Sequence, residues 1–413
     1  MNDSIAYSPF RWLILISAAL GSIAMQVTNL SIAPILPQIA QDLGITAGAA
    51  TNLMTAFVLS GTVALLFAGI LCDRYGVLVV ICLGLFCASM PPAVMPWIGS
   101  SYHAALWARI FAGLSPAFLL SAMGPIIAIW FPPKEKGLAG GLMAASVSVG
   151  SAVGVVAGPA LFLATGNWRH MSAWLSLIGW VGLAFALVLL VIPKPQPPNM
   201  HRESDGEPET DRLFFKEALF SHVTLIGILV IFFGGWCLHC LYGLTPGFLS
   251  ADRPLGVGFG PMVSGQLMLA VMVAGIVSPI IGGILTDKVF KGDAKPVLFM
   301  GFCFCTVMIY TLQMSAVHTG VLPLLTALIL AGMAVQLLYP SLYVYIAKNY
   351  QAQVVGKMTG VWSAVGGVGG VFGLFLGGTV VNHFGNYEWA MRLVALAGLA
   401  GLLFTLILPK TRE

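Results

Sequence analysis

The chain has 413 residues, of which 58% are hydrophobic and 8% charged, and its formal net charge is +4 at pH 7. A water-soluble domain of this length does not combine so much apolar sequence with so few charges. The composition excludes the soluble protein classes and indicates an integral membrane protein.

Apolar runs of about 20 residues, the length that crosses a bilayer as a helix, recur along the whole chain. Twelve can be counted, at residues 12–36, 48–72, 78–98, 104–131, 138–165, 170–192, 219–250, 258–287, 295–316, 320–347, 355–383 and 387–409. The sequence therefore predicts an all-α integral membrane fold with 12 transmembrane helices in two six-helix bundles. The bundles are expected at residues 1–192 and 219–413, joined by a polar, proline-rich cytoplasmic linker at 193–218.

Basic residues in the short loops predict the orientation of the chain in the membrane. If the spans alternate, 15 of the 19 Lys and Arg residues fall on one side, and Arg169, Arg253 and Arg392 fall on the other. We therefore expect a multi-pass protein of the cytoplasmic (inner) membrane with both termini in the cytoplasm. Because this topology accounts for the positive charge, the expected partner is the lipid bilayer and not a nucleic acid.

Spans 1 and 4 carry polar side chains inside apolar sequence. Gln26 and Asn29 of span 1 are three residues apart and so share one helical face. Each amide needs a partner, either on a neighbouring helix or in a water-filled cavity. Arg109 of span 4 has no acid near it in sequence, and an intramembrane charge favours a functional role. The alternative for Arg109 is structural, with its side chain reaching the outer surface or holding backbone carbonyls.

Two features of the sequence repeat between the halves and suggest moving parts. Spans 2 and 8 close with an acid followed by a base, in the phrases Gly69-Ile-Leu-Cys-Asp73-Arg74-Tyr-Gly76 and Gly283-Ile-Leu-Thr-Asp287-Lys288. Glycines of spans 5 and 11 correspond at a constant offset of 219 residues. In span 5, Gly150, Gly154 and Gly158 form a flat stripe on which another helix packs or slides, and Pro159 adds a kink. We expect conformational gating at Gly69, Asp73, Arg74, Gly76, Gly154, Gly158, Pro159, Asp287 and Lys288.

The second half contributes its own polar faces. Span 7 has Trp236, His239 and Tyr242 at one-face spacing, and span 10 has Gln336 and Tyr339. Span 11 adds Trp362. Any one of these side chains is explained by a hydrogen bond between helices, but polar faces on spans 1, 4, 7 and 10 together indicate a shared cavity.

The pattern resembles the major facilitator superfamily over nearly the whole chain. The phrase carried by Gly69, Leu71, Asp73, Arg74 and Gly76 is similar to the most widespread signature of that superfamily, and Arg109 with Gly113 is similar to its helix 4 arginine signature. The stripe from Gly150 to Pro159 resembles an exporter motif. The resemblance implies a cavity lined by spans 1, 4, 7 and 10, and two halves that rock about a midplane site, with spans 2, 5, 8 and 11 at the moving interface.

The leading hypothesis is a secondary or facilitative transporter, not an enzyme, that moves a small polar or anionic organic solute by alternating access, as a monomer and without a cofactor. Arg109 would attract the solute, and Trp236 and Trp362 would close over it. The expected hydrogen-bonding contacts are Gln26, Asn29, His239, Tyr242, Gln336 and Tyr339. His239 is the expected proton carrier because every acid lies outside the interior of the spans. Uniport or solute exchange needs no titrating group.

Two other functions are consistent with the same sequence. Cys237, His239 and Cys240 of span 7, with Met268 and Met272 of span 8, are ligand types suited to Cu(I), so a copper permease is one alternative. A non-transporting membrane sensor is the other, since a fold does not fix an activity. Solute flux in liposomes that contain only this chain distinguishes a transporter from a sensor.

Overall fold

The computed structural model describes residues 8–132, 134–192 and 208–411. These residues form sixteen α-helices and no strand. The helices are α1 (Phe10–Leu30), α2 (Leu36–Leu43), α3 (Ala47–Tyr75), α4 (Val77–Ile98), α5 (Tyr102–Ala112), α6 (Ser115–Trp130), α7 (Lys136–Thr165), α8 (Trp168–Val191), α9 (Pro208–Leu219), α10 (His222–Gly243), α11 (Thr245–Ser250), α12 (Gly260–Ile284), α13 (Lys295–Thr311), α14 (Val321–Asn349), α15 (Ala352–Phe384) and α16 (Glu388–Ile407).

Every predicted span is occupied by helix, so the predicted all-α membrane fold is confirmed. Eleven of the helices or consecutive helix pairs in the described part of the chain are long and apolar enough to cross a bilayer, and α13, with 17 residues, is a shorter apolar helix. Large apolar side chains such as Leu66, Ile70 and Val181 are more than 60% exposed, which suits a surface solvated by lipid tails.

Three of the predicted spans are each built from two helices. Span 1 breaks after Leu30, and a short 3₁₀ turn at Ala33–Ile35 joins α1 to α2. Span 4 breaks at Gly113, and span 7 breaks at Leu244. In each case a proline follows within the first two residues of the next helix, because its fixed φ suits the start of a helix and its missing N–H ends the preceding hydrogen-bond ladder.

The residue contacts divide the chain into two compact units. One comprises residues 1–32 and 59–205, and the other comprises residues 33–58 and 206–413. Helix α2 and the first part of α3 thus group with the C-terminal helices. Residues 193–207 of the predicted linker lie outside the described residues, and the linker boundaries stay a prediction.

In the first unit, α1 packs against α7 and α8, and α4 packs against α6 and α8. The glycine stripe of α7 makes the first of these contacts. A Cβ placed on Gly150 would lie 2.7 Å from Ile23 Cα, and one placed on Gly154 would lie 3.2 Å from Val27 Cα. A Cβ on Gly158 would overlap the backbone of Ser31. The stripe therefore packs α7 closely against α1 of the same unit. The gating roles of Gly154, Gly158 and Pro159 stay a prediction.

The second unit repeats this arrangement. Helix α10 packs against α15 and α16, and α13 packs against α14 and α16. Gly369 and Gly373 of α15 meet α10 at the Phe232 backbone and the Trp236 ring, as Gly150 and Gly154 of α7 meet α1. The two glycine-mediated contacts bear out the equivalence of the predicted spans 5 and 11, which the constant offset of their glycines indicated.

Candidate functional site

Arg109 lies at the end of α5 and is 5% exposed. Its Nη1 donates to the Thr28 carbonyl at 2.6 Å, and its Nη2 donates to the Asn29 carbonyl at 3.3 Å. Helix α1 ends at Leu30, so these two carbonyls belong to its last turn, where no helical N–H follows to satisfy them. Arg109 therefore caps α1 at the negative end of its dipole. One structural role predicted for Arg109 was to hold backbone carbonyls, and the structure shows such contacts.

The amides of α1 have different surroundings. Gln26 Nε2 donates to Ser151 Oγ of α7 at 2.7 Å, so Gln26 has its partner on a neighbouring helix. The Asn29 side-chain oxygen, Oδ1, is buried and has no hydrogen-bond partner in the described part of the chain. A buried amide oxygen without a donor is costly. We name Gln26, Asn29, Arg109 and Ser151 the N-terminal polar group.

In the second unit, a hydrogen bond joins the polar faces of α10 and α14. Gln336 Nε2 donates to Tyr242 Oη at 2.7 Å. One turn along α14, the Tyr339 hydroxyl lies beside Gly366 of α15, and its ring makes an edge contact with Tyr343 at 6.2 Å. The structure therefore brings together three of the predicted contacts. We name Tyr242, Gln336 and Tyr339 the C-terminal polar group.

His239 and Trp236 lie on the face of α10 that meets α15. His239 Nδ1 lies 2.8 Å from the Gly235 carbonyl, so Nδ1 carries the proton of the neutral ring and Nε2 is left as the basic atom. Trp236 is 6% exposed, and its ring packs edge-on against Phe372 at 5.2 Å. Trp236 is therefore part of an aromatic cluster between the two helices.

Trp362 departs from its predicted place over a solute. Its side chain is fully buried in the core of the second unit, between Tyr345 and Tyr350 and against Gly227 of α10. An indole is large and mostly apolar, and this position removes it from any surface that a solute contacts. We do not retain Trp362 among the proposed solute contacts.

The two phrases that close spans 2 and 8 differ in backbone structure. Asp73 and Arg74 are exposed in the last turn of α3, and Gly76 turns the chain with φ of +83°. The second phrase instead passes into a π-helical turn, Leu285–Val289, in which Asp287 and Lys288 are exposed. The sequence repeat thus extends to position and charge but not to backbone geometry. The gating roles of these residues stay a prediction.

Sequence reasoning missed Ser151, the partner of Gln26. A signal for it was present, because Ser151 follows Gly150 in the stripe that meets α1. The capping of α1 by Arg109 left no such signal, since it depends on where α1 breaks.

The described residues contain no group of three His, Cys, Asp or Glu side chains that could hold a metal ion. Cys237 instead donates to the Val394 carbonyl, with a distance of 3.9 Å between sulfur and oxygen. Both Cys237 and Cys240 are fully buried, as expected for small packing residues.

The hydrogen bond between Gln336 and Tyr242 gives a testable prediction. Tyr242→Phe and Gln336→Leu should each lower the thermal stability of the purified protein, and the double variant should lose less than the sum, with a coupling of about 0.6–2 kcal/mol. Tyr343→Phe on the same helix is the control, because the hydrogen bond between the Tyr343 hydroxyl and Ser363 Oγ is long, at 3.4 Å, and lies at an exposed position. Strict additivity of the two single losses in melting temperature would contradict the bond.

Comparison with known proteins decides the family. The model of the Major Facilitator Superfamily matches residues 14–322 and 292–413. The chain belongs to the Major Facilitator Superfamily. This membership confirms the resemblance drawn from the sequence and makes the chain a membrane transporter and not an enzyme.

Relatives within the Major Facilitator Superfamily are distant but match over nearly their full length. Multidrug resistance protein 2 of Bacillus subtilis is 24% identical over 377 residues, which cover 91% of this chain and 90% of the relative. Quinolone resistance protein NorA of Staphylococcus aureus is 23% identical over 374 residues, which cover 91% of each chain. These superfamily members share the overall length and organisation of this chain.

The solved structures of a bacterial homologue of the human lysosomal transporter Spinster have the same fold. The inward-facing, occupied form aligns with a TM-score of 0.76 at 14% identity and covers 98% of this chain and 97% of the other. The inward-facing, unoccupied form aligns with a TM-score of 0.72 at 16% identity, with 98% and 96% covered. At this identity the match supports the superfamily fold and nothing about the substrate.

Proposed function

We propose that this chain is a secondary transporter that carries a small polar or anionic organic solute across the cytoplasmic membrane by alternating access. It acts as a monomer with both termini in the cytoplasm. The observation that carries the proposal is the N-terminal polar group, in which a buried arginine and an unsatisfied amide oxygen lie within two of the apolar helical spans.

Arg109 supplies the attraction for an anion. Two of its hydrogen bonds go to the backbone carbonyls of Thr28 and Asn29, which carry no net charge. A carboxylate on a solute would form a charge-assisted hydrogen bond with the guanidinium, and such bonds are roughly twice as strong as neutral ones. Low polarity in the surrounding span strengthens this attraction further.

Asn29 supplies selectivity for polar solutes. Its Oδ1 atom is buried without a partner, so a solute hydroxyl or amide N–H that reached it would remove a desolvation cost of about 1–3 kcal/mol. The C-terminal polar group offers the Tyr339 hydroxyl and the Tyr242–Gln336 pair as further hydrogen-bonding groups. A solute with one negative charge and one or more hydroxyl or amide groups matches these side chains.

A ligand screen tests this proposal. Small organic anions, neutral polar metabolites, organic cations and Cu(I) are added separately to the purified protein, and the melting temperature is recorded. A quinolone is included because one relative is named for resistance to that class. A ligand present at about 100 times its Kd stabilises the native state by roughly 2.7 kcal/mol. We expect anions or neutral polar compounds to raise the melting temperature, and stabilisation by Cu(I) alone would contradict the proposal.

We further predict that His239 carries the proton if transport is coupled to a pH gradient. His239→Gln should then abolish uptake driven by the gradient in proteoliposomes and leave exchange of solute for solute intact, because glutamine keeps hydrogen-bonding capacity but does not titrate. His318→Gln is the matched control, since His318 lies between predicted spans 9 and 10, with its Nε2 2.6 Å from the Leu312 carbonyl. Unchanged gradient-driven uptake in His239→Gln would remove the proposed role.

A further inference from the structure

A cavity of about 300 Å³ lies within the second unit, and no residue of either polar group lines it. Helix α2 and the residues just after it form one wall, and the loop between α11 and α12 forms the other. The lining residues are Pro37, Gln38, Ala40, Gln41, Ile45, Ala47, Asp252, Arg253, Pro254 and Leu255. Its volume is at the lower end of the range of roughly 300–1,000 Å³ that holds small organic ligands.

Three polar side chains of the cavity have hydrogen-bonding capacity that the described residues do not fill. Gln38 Oε1 is buried and receives no hydrogen bond within the described residues. Asp252 and Arg253 are exposed, and neither side chain is in an ion pair in the described part of the chain. Arg253 Nε donates to the Val257 carbonyl at 3.3 Å, which holds the guanidinium near its own loop. The cavity thus offers an acid and a base, with a buried, unsatisfied acceptor beside them.

Backbone hydrogen bonds hold the loop wall in place. Val257 N–H donates to the Phe248 carbonyl at 2.9 Å, and Tyr387 N–H donates to the Leu255 carbonyl at 2.9 Å. The Tyr387 side chain is itself buried, with 1% of its surface exposed. A preformed wall lowers the entropy cost of binding.

We propose that this cavity binds a small zwitterion with an apolar side chain, such as a free amino acid. Arg253 would bind the carboxylate, Asp252 and Gln38 Oε1 would bind the ammonium group, and Pro37, Ile45 and Leu255 would contact the apolar part. The site is separate from Arg109, so this inference does not depend on the proposed transport function.

Three related compounds test the charge requirement. L-phenylalanine has both charges, L-phenylalaninamide lacks the carboxylate, and N-acetyl-L-phenylalanine lacks the ammonium group. Each is titrated into the purified full-length protein up to about 10 mM, with the melting temperature and calorimetric heat as readouts. We expect only L-phenylalanine to bind. Equal binding of either derivative, or no binding of L-phenylalanine, would overturn the proposal.

Variants locate the binding. Asp252→Asn and Arg253→Gln remove one charge each at exposed positions, and Gln38→Leu removes the buried acceptor; each should weaken L-phenylalanine binding at least about tenfold. Arg392→Gln is the control for a lost exposed arginine and should leave the affinity unchanged. Arg109→Gln should also leave it unchanged. Binding that survives the three cavity variants but is lost in Arg109→Gln would place the ligand in the N-terminal polar group and overturn the proposal.

Discussion

Replacing Arg109 with glutamine is expected to weaken binding of the anionic solute by about 10- to 100-fold, since a hydrogen bond to a charged group contributes roughly 1.5–3 kcal/mol. Glutamine keeps a donor for the Thr28 or Asn29 carbonyl but has no charge. The affinity of Arg109→Lys for the anion should lie between that of the native chain and that of Arg109→Gln. Lysine keeps the charge but cannot hydrogen-bond two carbonyls and a carboxylate at the same time. The measurement is the Kd of the anion selected by the ligand screen, obtained from melting-temperature shifts of each purified variant.

The same comparison separates the two roles of Arg109. If the guanidinium only caps α1, both variants lose melting temperature without ligand, and the anion binds them as tightly as it binds the native chain. If Arg109 also binds solute, the affinity falls in Arg109→Gln beyond what the loss of stability explains. Arg392→Gln is the control here as well, since Arg392 is 40% exposed and pairs with Glu388 at 3.7 Å. Unchanged affinity in Arg109→Gln would contradict the solute-binding role.

Gly369→Leu is expected to abolish the folded protein. A Cβ at this position overlaps the Phe232 backbone, and neither α10 nor α15 can move away without opening the contact between them. Overpacking of a core contact costs about 1–3 kcal/mol or more even where side chains can adjust, and here the obstacle is backbone. The measurement is the yield of monodisperse protein after extraction in detergent, together with its melting temperature.

The control for this substitution is on the same helix. Gly360 has no atom within 4 Å of where its Cβ would be, so Gly360→Leu should give normal yield and a melting temperature close to that of the native chain. Gly150→Leu should behave like Gly369→Leu, because Gly150 holds the equivalent position against α1 and its Cβ would lie 2.7 Å from Ile23 Cα. Normal yield of Gly369→Leu would contradict the account of the glycine contacts.

The fold was predictable from the sequence because hydrophobicity and length determine a transmembrane helix almost by themselves. The breaks within spans 1, 4 and 7 were less visible. Prolines at positions 34, 37, 116 and 246 marked them, but a proline inside an apolar run is compatible with a kink as well as with a break. Only the structure shows that α1 ends at Leu30, and this end gives Arg109 its two carbonyl partners.

The candidate site was predictable in part. Spacing on one helix face selected Tyr242 and Gln336, which the structure joins by a hydrogen bond, and it selected Gln26 and Asn29 on α1. Spacing could not tell which face of span 11 meets the core. The burial of Trp362 in that core was therefore not predictable from the sequence. It also could not show that residues 33–58 group with the C-terminal unit, since that depends on contacts far apart in sequence.

The most direct test of the account is counterflow in proteoliposomes that contain only this chain. Vesicles are loaded with the unlabelled solute selected by the ligand screen, and uptake of the labelled solute is followed without ATP and without an ion gradient. An alternating-access transporter returns its site across the membrane with solute bound, so the internal solute should accelerate labelled uptake well above that of protein-free vesicles, and Arg109→Gln should lose this acceleration. Uptake equal to that of protein-free vesicles, for a solute shown to bind the purified chain, would contradict transport and favour a membrane sensor.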